Sequence, residues 1–126
     1  LTDKTGASMT VGLDLASPIS SYTVFRADGT PVGTTDFVAV SGTSEERIFF
    51  HTEVCQDFGE RALVALLVST ALTDSIRESV AVVPLCPMFA RHLRVNGDEF
   101  IANGGVFRQP IPDDIGVITR ATLGEA

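Results

Sequence analysis

The chain has 126 residues, 44% hydrophobic and 20% charged, with a net charge of −7. That describes one globular domain with enough apolar material for a core, and it argues against wholesale disorder. Sixteen acidic residues against nine basic ones exclude recognition of nucleic acid or an anionic membrane through a basic patch, although a helix N-terminus with one arginine can still hold a small anion.

The longest apolar run, Ala62 to Val68, is too short to span a bilayer. Cys55 and Cys86 stand at a spacing that makes neither a disulfide framework nor a zinc site. Leu1 to Ser8 is polar and lacks the apolar core of a secretory leader. A reducing, cytoplasmic setting is the expectation.

Taken in order, Thr10 to Leu15 alternates Val11, Leu13 and Leu15 with small or polar residues, and predicts a first strand that Pro18 closes. Tyr22 to Arg26 predicts a second strand. The Asp28-Gly29-Thr30-Pro31 cluster predicts a turn, and Val32 to Val40 resumes the β pattern, so the pair reads as a hairpin. After a turn over Ser41 to Glu46, Arg47 to Val54 reads as the strand that ends an antiparallel half. From Glu60 to Arg77 apolar residues cover most of a cylinder, which predicts a largely buried helix. Val80 to Val83 is a short all-apolar strand, the kind buried beside a parallel neighbour. A second helix is expected from Pro87 to Arg94, ended by Asn96-Gly97-Asp98.

Residues 101–126 read as an extension to a domain over residues 1–100. Gly104-Gly105, Pro110 and Pro112 mark loop, and Asp113 to Leu123 predicts a short helix pinned by Ile115, Ile118 and Leu123. Arg108, Asp113 and Asp114 read as capping and surface charges.

The unit with chemical content is strand, loop, helix, strand from Arg47 to Val83. A crossover of this kind leaves the helix N-terminus at the carboxyl end of the first strand, where unpaired N–H groups and Arg61 suit an anion. By the strand period of two, His51 and Glu53 share a face, and either suits general base catalysis. Both also read as ordinary polar residues at a strand end. Cys86 lies between a buried strand and a helix start, where the dipole favours an anion. A buried structural thiol is the plainer reading. Arg91, His92 and Arg94 form a positive strip that reads as a solvated helix face.

His51-Thr52-Glu53-Val54, the helix that begins near Gly59, and Val82-Val83-Pro84-Leu85-Cys86-Pro87 together resemble the short acetyl-CoA-binding branch of the GCN5-related N-acetyltransferases. The resemblance runs from about Tyr22 to Phe100. It implies a compact α/β fold with a mixed, mostly antiparallel sheet, a βαβ unit and flanking helices. It further implies acetyl-CoA as co-substrate and an amine acceptor on a small molecule or protein, in a monomer or weak dimer without nucleic acid or membrane partners. Cofactor contacts would come from Val54, from Gly59, Glu60, Arg61, Ala62, Leu63 and Val64 of the pyrophosphate loop, and from Pro87. The catalytic candidates are Cys86, as acyl relay or wall of the thioester pocket, and His51 or Glu53 as base; Cys55 matches no motif.

The loop departs from the family pattern. Ala62 and Val64 occupy positions normally given to small residues, most often glycine, and Glu60 places a negative charge beside the expected pyrophosphate. These departures support a second reading, a non-catalytic domain that binds a partner; a third, a thiol-based reaction or redox sensor centred on Cys86, has only the helix-start position behind it.

Overall fold

The computed structural model describes residues 9–42, 44–55 and 59–124. The polar stretch Leu1 to Ser8 and residues 56–58 of the expected anion loop lie outside the described residues. In chain order the elements are β1 (Thr10–Asp14), β2 (Ser20–Phe25), β3 (Pro31–Ser41), β4 (Glu45–Val54), α1 (Glu60–Arg77), β5 (Ala81–Pro84), α2 (Pro87–Ala102) and α3 (Pro112–Thr122). The strands make one sheet in the order β1-β2-β3-β4-β5, antiparallel except for the parallel β4–β5 pair. The mixed, mostly antiparallel sheet with its βαβ unit is as expected.

Alternation decides which face each strand residue takes. Tyr22, Val24, Thr35, Phe37, Thr52, Phe49 and Arg47 fall in register on one face, and α1 and α2 pack there through Leu63, Leu67, Ala71, Phe89 and Leu93. A file of rings runs across this core from Tyr22 through Phe37 and Phe49 to Phe89. The opposite face carries Ser21, Thr23, Thr34, Asp36, His51 and Glu53. Further along that face, Val38 and Ile48 are buried.

Two bulges set the register. β3 places Asp36 opposite His51 but Phe37 opposite Phe49, so Phe50 is an extra residue in β4. Such an insertion bends and twists the strand that carries it.

The hairpin turn forms as expected: Arg26 and Gly29 N–H close it, and Gly29 takes φ +90°, which glycine adopts at no steric cost. The turn before β4 is shorter than predicted, because β3 continues to Ser41 and β4 already starts at Glu45.

Asn96-Gly97-Asp98 does not end α2, which continues to Ala102. A Cβ on Gly97 would stand 3.0 Å from Phe107 Cζ, so this glycine is an interior notch that admits an aromatic ring. The stop comes at Gly104, at φ +97°, with Gly105 N–H bonded to Phe100 O. The chain then returns beside β5, where Val82 bonds Val106 O and Arg108 N–H bonds Val82 O. α3 is not pinned by Ile115 and Leu123, which are exposed. Pro112 in the first turn sets a register that turns Asp114 and Ala121 inward instead. Among the described residues, no helix is long and apolar enough to cross a membrane.

Candidate functional site

β4 and β5 run together only from Glu46↔Ala81 to Phe49↔Pro84. β4 then continues through residues 50–54 while β5 stops, so the sheet opens on this side. The parting is held by Cys86, whose N–H bonds Phe49 O at 2.7 Å. Cys86 is also the N-cap of α2, with Pro87 at the first helical position, where its missing N–H costs nothing.

The Cys86 side chain is 3% exposed and belongs to the core cluster. Its sulfur lies 3.4 Å from Thr52 Oγ1, which lies 2.8 Å from Thr35 Oγ1. Neither threonine stood out in the sequence, yet strand period places Thr52 opposite in facing to His51 and Glu53. His51 Nε2 and Glu53 Oε1 are 3.0 Å apart, both well exposed. The structure therefore brings His51 and Glu53 together and separates them from Cys86 by the thickness of β4.

α1 begins at Gly59, whose φ of +80° and ψ of +76° are left-handed. Among the described residues, a Cβ there would meet nothing within 4 Å and no side chain caps the helix start. The first intrahelical bond is Leu63 N–H to Gly59 O, which leaves the N–H groups of Glu60, Arg61 and Ala62 without a carbonyl of the helix to receive them. Glu60, Arg61 and Ala62 are exposed, whereas Leu63 is fully buried and its side chain serves the core. Val54 is half-buried at the end of β4 and packs on the same core.

Val64 has a different place. Together with Arg61, Met88, Arg91, His92 and Asn96 it lines a groove of about 270 Å³ between the first halves of α1 and α2. Arg91 and His92, read from sequence as a solvated strip, thus border a concave surface that continues from the α1 terminus. Arg94 is exposed and does not line it. A second open hollow, of about 350 Å³, lies where β3 begins and β4 ends, beside Thr23, Thr34, Glu53 and Cys55. Among the described residues no group of three or more His, Cys, Asp or Glu is arranged to hold a metal ion.

A family model described as GCN5-related N-acetyl-transferase matches residues 21–100. The chain belongs to that family. Every candidate from His51 to Pro87 lies inside the matched stretch, which ends at Phe100 and so leaves α3 and Arg108 outside it. Among solved structures, this GCN5-related chain is similar to the ribosomal-protein-alanine N-acetyltransferase from Brucella melitensis biovar Abortus 2308. The identity is 14% and the TM-score 0.47, and the match covers 88% of this chain and 64% of that one. No curated protein sequence matches the chain.

Proposed function

We propose that this GCN5-related domain, residues 1–100 with the extension 101–126 packed against it, binds acetyl-CoA and transfers its acetyl group to an amine. The observation that carries this reading is the opening between β4 and β5, with the Cys86 thiol beside it on the face that α1 and α2 cover. Arg61, in the first turn of α1, also lines the α1–α2 groove.

The residues present fit the ligand. The first N–H groups of α1, which have no carbonyl partner within the helix, and the exposed Arg61 guanidinium suit the pyrophosphate. Among the described residues, none stands within 4 Å of where a Cβ on Gly59 would be. Ala62 is exposed, while Val64 and Met88 offer apolar walls in the groove. Leu63 anchors the helix from the core, and Pro87 shapes the start of α2. Glu60 opposes the ligand charge, and it is the residue that favours the alternative of a non-catalytic binding module.

Acetyl-CoA supplies an activated thioester. The Val54 main chain is positioned to orient the carbonyl, and Cys86 to wall the thioester or carry the acyl group. An acceptor amine attacks the carbonyl carbon; the C–N bond forms, the C–S bond breaks, and a proton must leave the nitrogen. Glu53 and His51, paired on the uncovered face, can take it. That face is open enough for an amine on a protein as well as on a small molecule.

Calorimetric titration with acetyl-CoA and CoA tests the reading. Micromolar binding that weakens at least tenfold in Arg61→Glu is the expected result. Absence of binding at millimolar ligand would put the interaction module in its place.

A further inference from the structure

We propose that Thr52 is a positioning residue for Cys86: its hydroxyl stands between two partners, Thr35 Oγ1 and Cys86 Sγ, and turns its single proton to the sulfur when the thiol ionises. This rests on the reading of Cys86 as part of the transfer site.

A hydroxyl has one proton to give and can accept as well. Thr35 Oγ1 lies 3.2 Å from His51 O, and a carbonyl only accepts, so the Thr35 proton goes there. The Thr35 oxygen is then the acceptor for Thr52 at 2.8 Å, and the Thr52 oxygen accepts from the Cys86 S–H at 3.4 Å. A thiolate has no proton to donate. Thr52 then gives its own to the sulfur, and Thr35 keeps the backbone carbonyl.

Both states of the sulfur are thus hydrogen-bonded in a place where water has little access. Thr35 is fully buried and Cys86 nearly so. Charged groups on the surrounding elements are engaged or distant in facing. Arg47 donates to Tyr22 Oη. Arg61, Arg91 and His92 border the groove, and His51 and Glu53 pair on the other side of β4. Among the described residues, the donor set against the sulfur is Thr52.

The experiment uses the full chain in a Cys55→Ala background, so that Cys86 is its one thiol. The thiolate-to-thiol ratio is read from the ultraviolet thiolate band, alongside the rate of alkylation by iodoacetamide. Thr52→Val keeps the shape and loses the proton. It should lower the ratio at neutral pH by about tenfold, the loss expected for a hydrogen bond to a charged group. Thr52→Ser should stay within about twofold of the parent, because the hydroxyl remains. Thr35→Val frees the Thr52 proton for the sulfur and should raise the ratio. Alkylation of Thr52→Val should be slow at neutral pH and approach the parent rate as pH rises through the thiol range to about 9.5, short of alkaline unfolding, whereas a packing defect would alter it at every pH.

An unchanged ratio in Thr52→Val overturns the inference, as does a fall in Thr52→Ser equal to that in Thr52→Val. If Thr52→Val fails to fold, Thr35→Val decides, and a ratio there that does not rise overturns it. Acetyl transfer is measured separately. The expected ratios in a protein that transfers nothing leave the Thr52 role standing and remove the transferase reading. Transfer with an unchanged ratio in Thr52→Val does the reverse.

Discussion

Replacing Arg108 with methionine should destabilise the protein by about 2–3 kcal/mol, with no change near the candidate site. Arg108 joins three parts of the fold. Its guanidinium donates to both Glu46 oxygens of β4, at 2.8 and 3.0 Å, and to both Asp114 oxygens of α3, at 2.9 and 2.8 Å. Breaking a buried ion pair from one side costs about 3–5 kcal/mol, because the abandoned charge stays out of water. The Asp114 side chain is 5% exposed, but that of Arg108 is 34% exposed, and solvent screening brings the figure down.

For a domain of this length that is a fall in melting temperature of about 10 °C. The pH dependence checks the cause. Arg108 first, and then the Ile111 N–H, hold the Asp114 carboxyl below the usual carboxylate range, against burial that pushes it up. A depressed folded value stabilises the protein above the ordinary range of about 4 and loses that effect as pH falls through the folded value. The gap between parent and Arg108→Met, measured by urea unfolding followed by circular dichroism, should therefore narrow on acidification. A loss below about 0.5 kcal/mol at neutral pH, typical of a surface pair, would refute the reasoning. So would a gap that acid leaves unchanged.

Tyr22 is the one tyrosine of the chain. Burial first, and then donation to Asp74, raise its phenol above the ordinary range. Its stabilising effect is intact below about pH 10 and is lost as pH rises further, so in an alkaline titration the tyrosinate band should appear only as the protein unfolds; a band that grows while the circular dichroism stays native contradicts this. Gly105→Ala would place a Cβ 2.4 Å from the Phe100 ring, which belongs to the core. The expected cost is about 1–3 kcal/mol by urea unfolding, and an unshifted midpoint would show that this turn does not pack as described.

Local signals read well where one period dominates. The hairpin, α1 and the parallel β5 follow from alternation, a nearly all-apolar cylinder and a bare apolar strand. The errors have physical reasons. Gly97 carries the signature of a helix stop, yet its lack of a side chain serves Phe107, a partner ten residues on that no local window displays. Ile115 and Leu123 were expected to pin α3 because they are apolar. Burial went instead to a carboxylate, Asp114, whose partner Arg108 reaches Glu46 across 62 positions. The bulge at Phe50 was equally hidden, since Phe49 and Phe50 are alike in kind and alternation gives no preference between them.

The candidate site divides along the same line. His51, Glu53 and Cys86 were legible from motif and period, but their separation by β4 was not, because it depends on which face each strand residue takes after the bulge. Facing is what limits the chemistry. A group at the Cys86 sulfur is on the helix-covered side, and a base at His51 or Glu53 is on the open side. Between the two faces β5 stops and β4 goes on, past the bond from Cys86 N–H to Phe49 O. On the proposed reading, an acceptor that uses the base meets the acyl group where the strands part, so the width there matters more than the proximity of any two candidate side chains. Cys86 fixes that width from both ends, as the residue that bonds β4 and as the residue that starts α2. Those two duties fall to the Cys86 main chain, while the thiol itself is packed in the core, whether or not it carries an acyl group. Removal of Cys86 alone therefore cannot distinguish a nucleophile from a wall, and the hydroxyl of Thr52, which touches the sulfur but bonds neither strand edge, is the better handle on its chemistry.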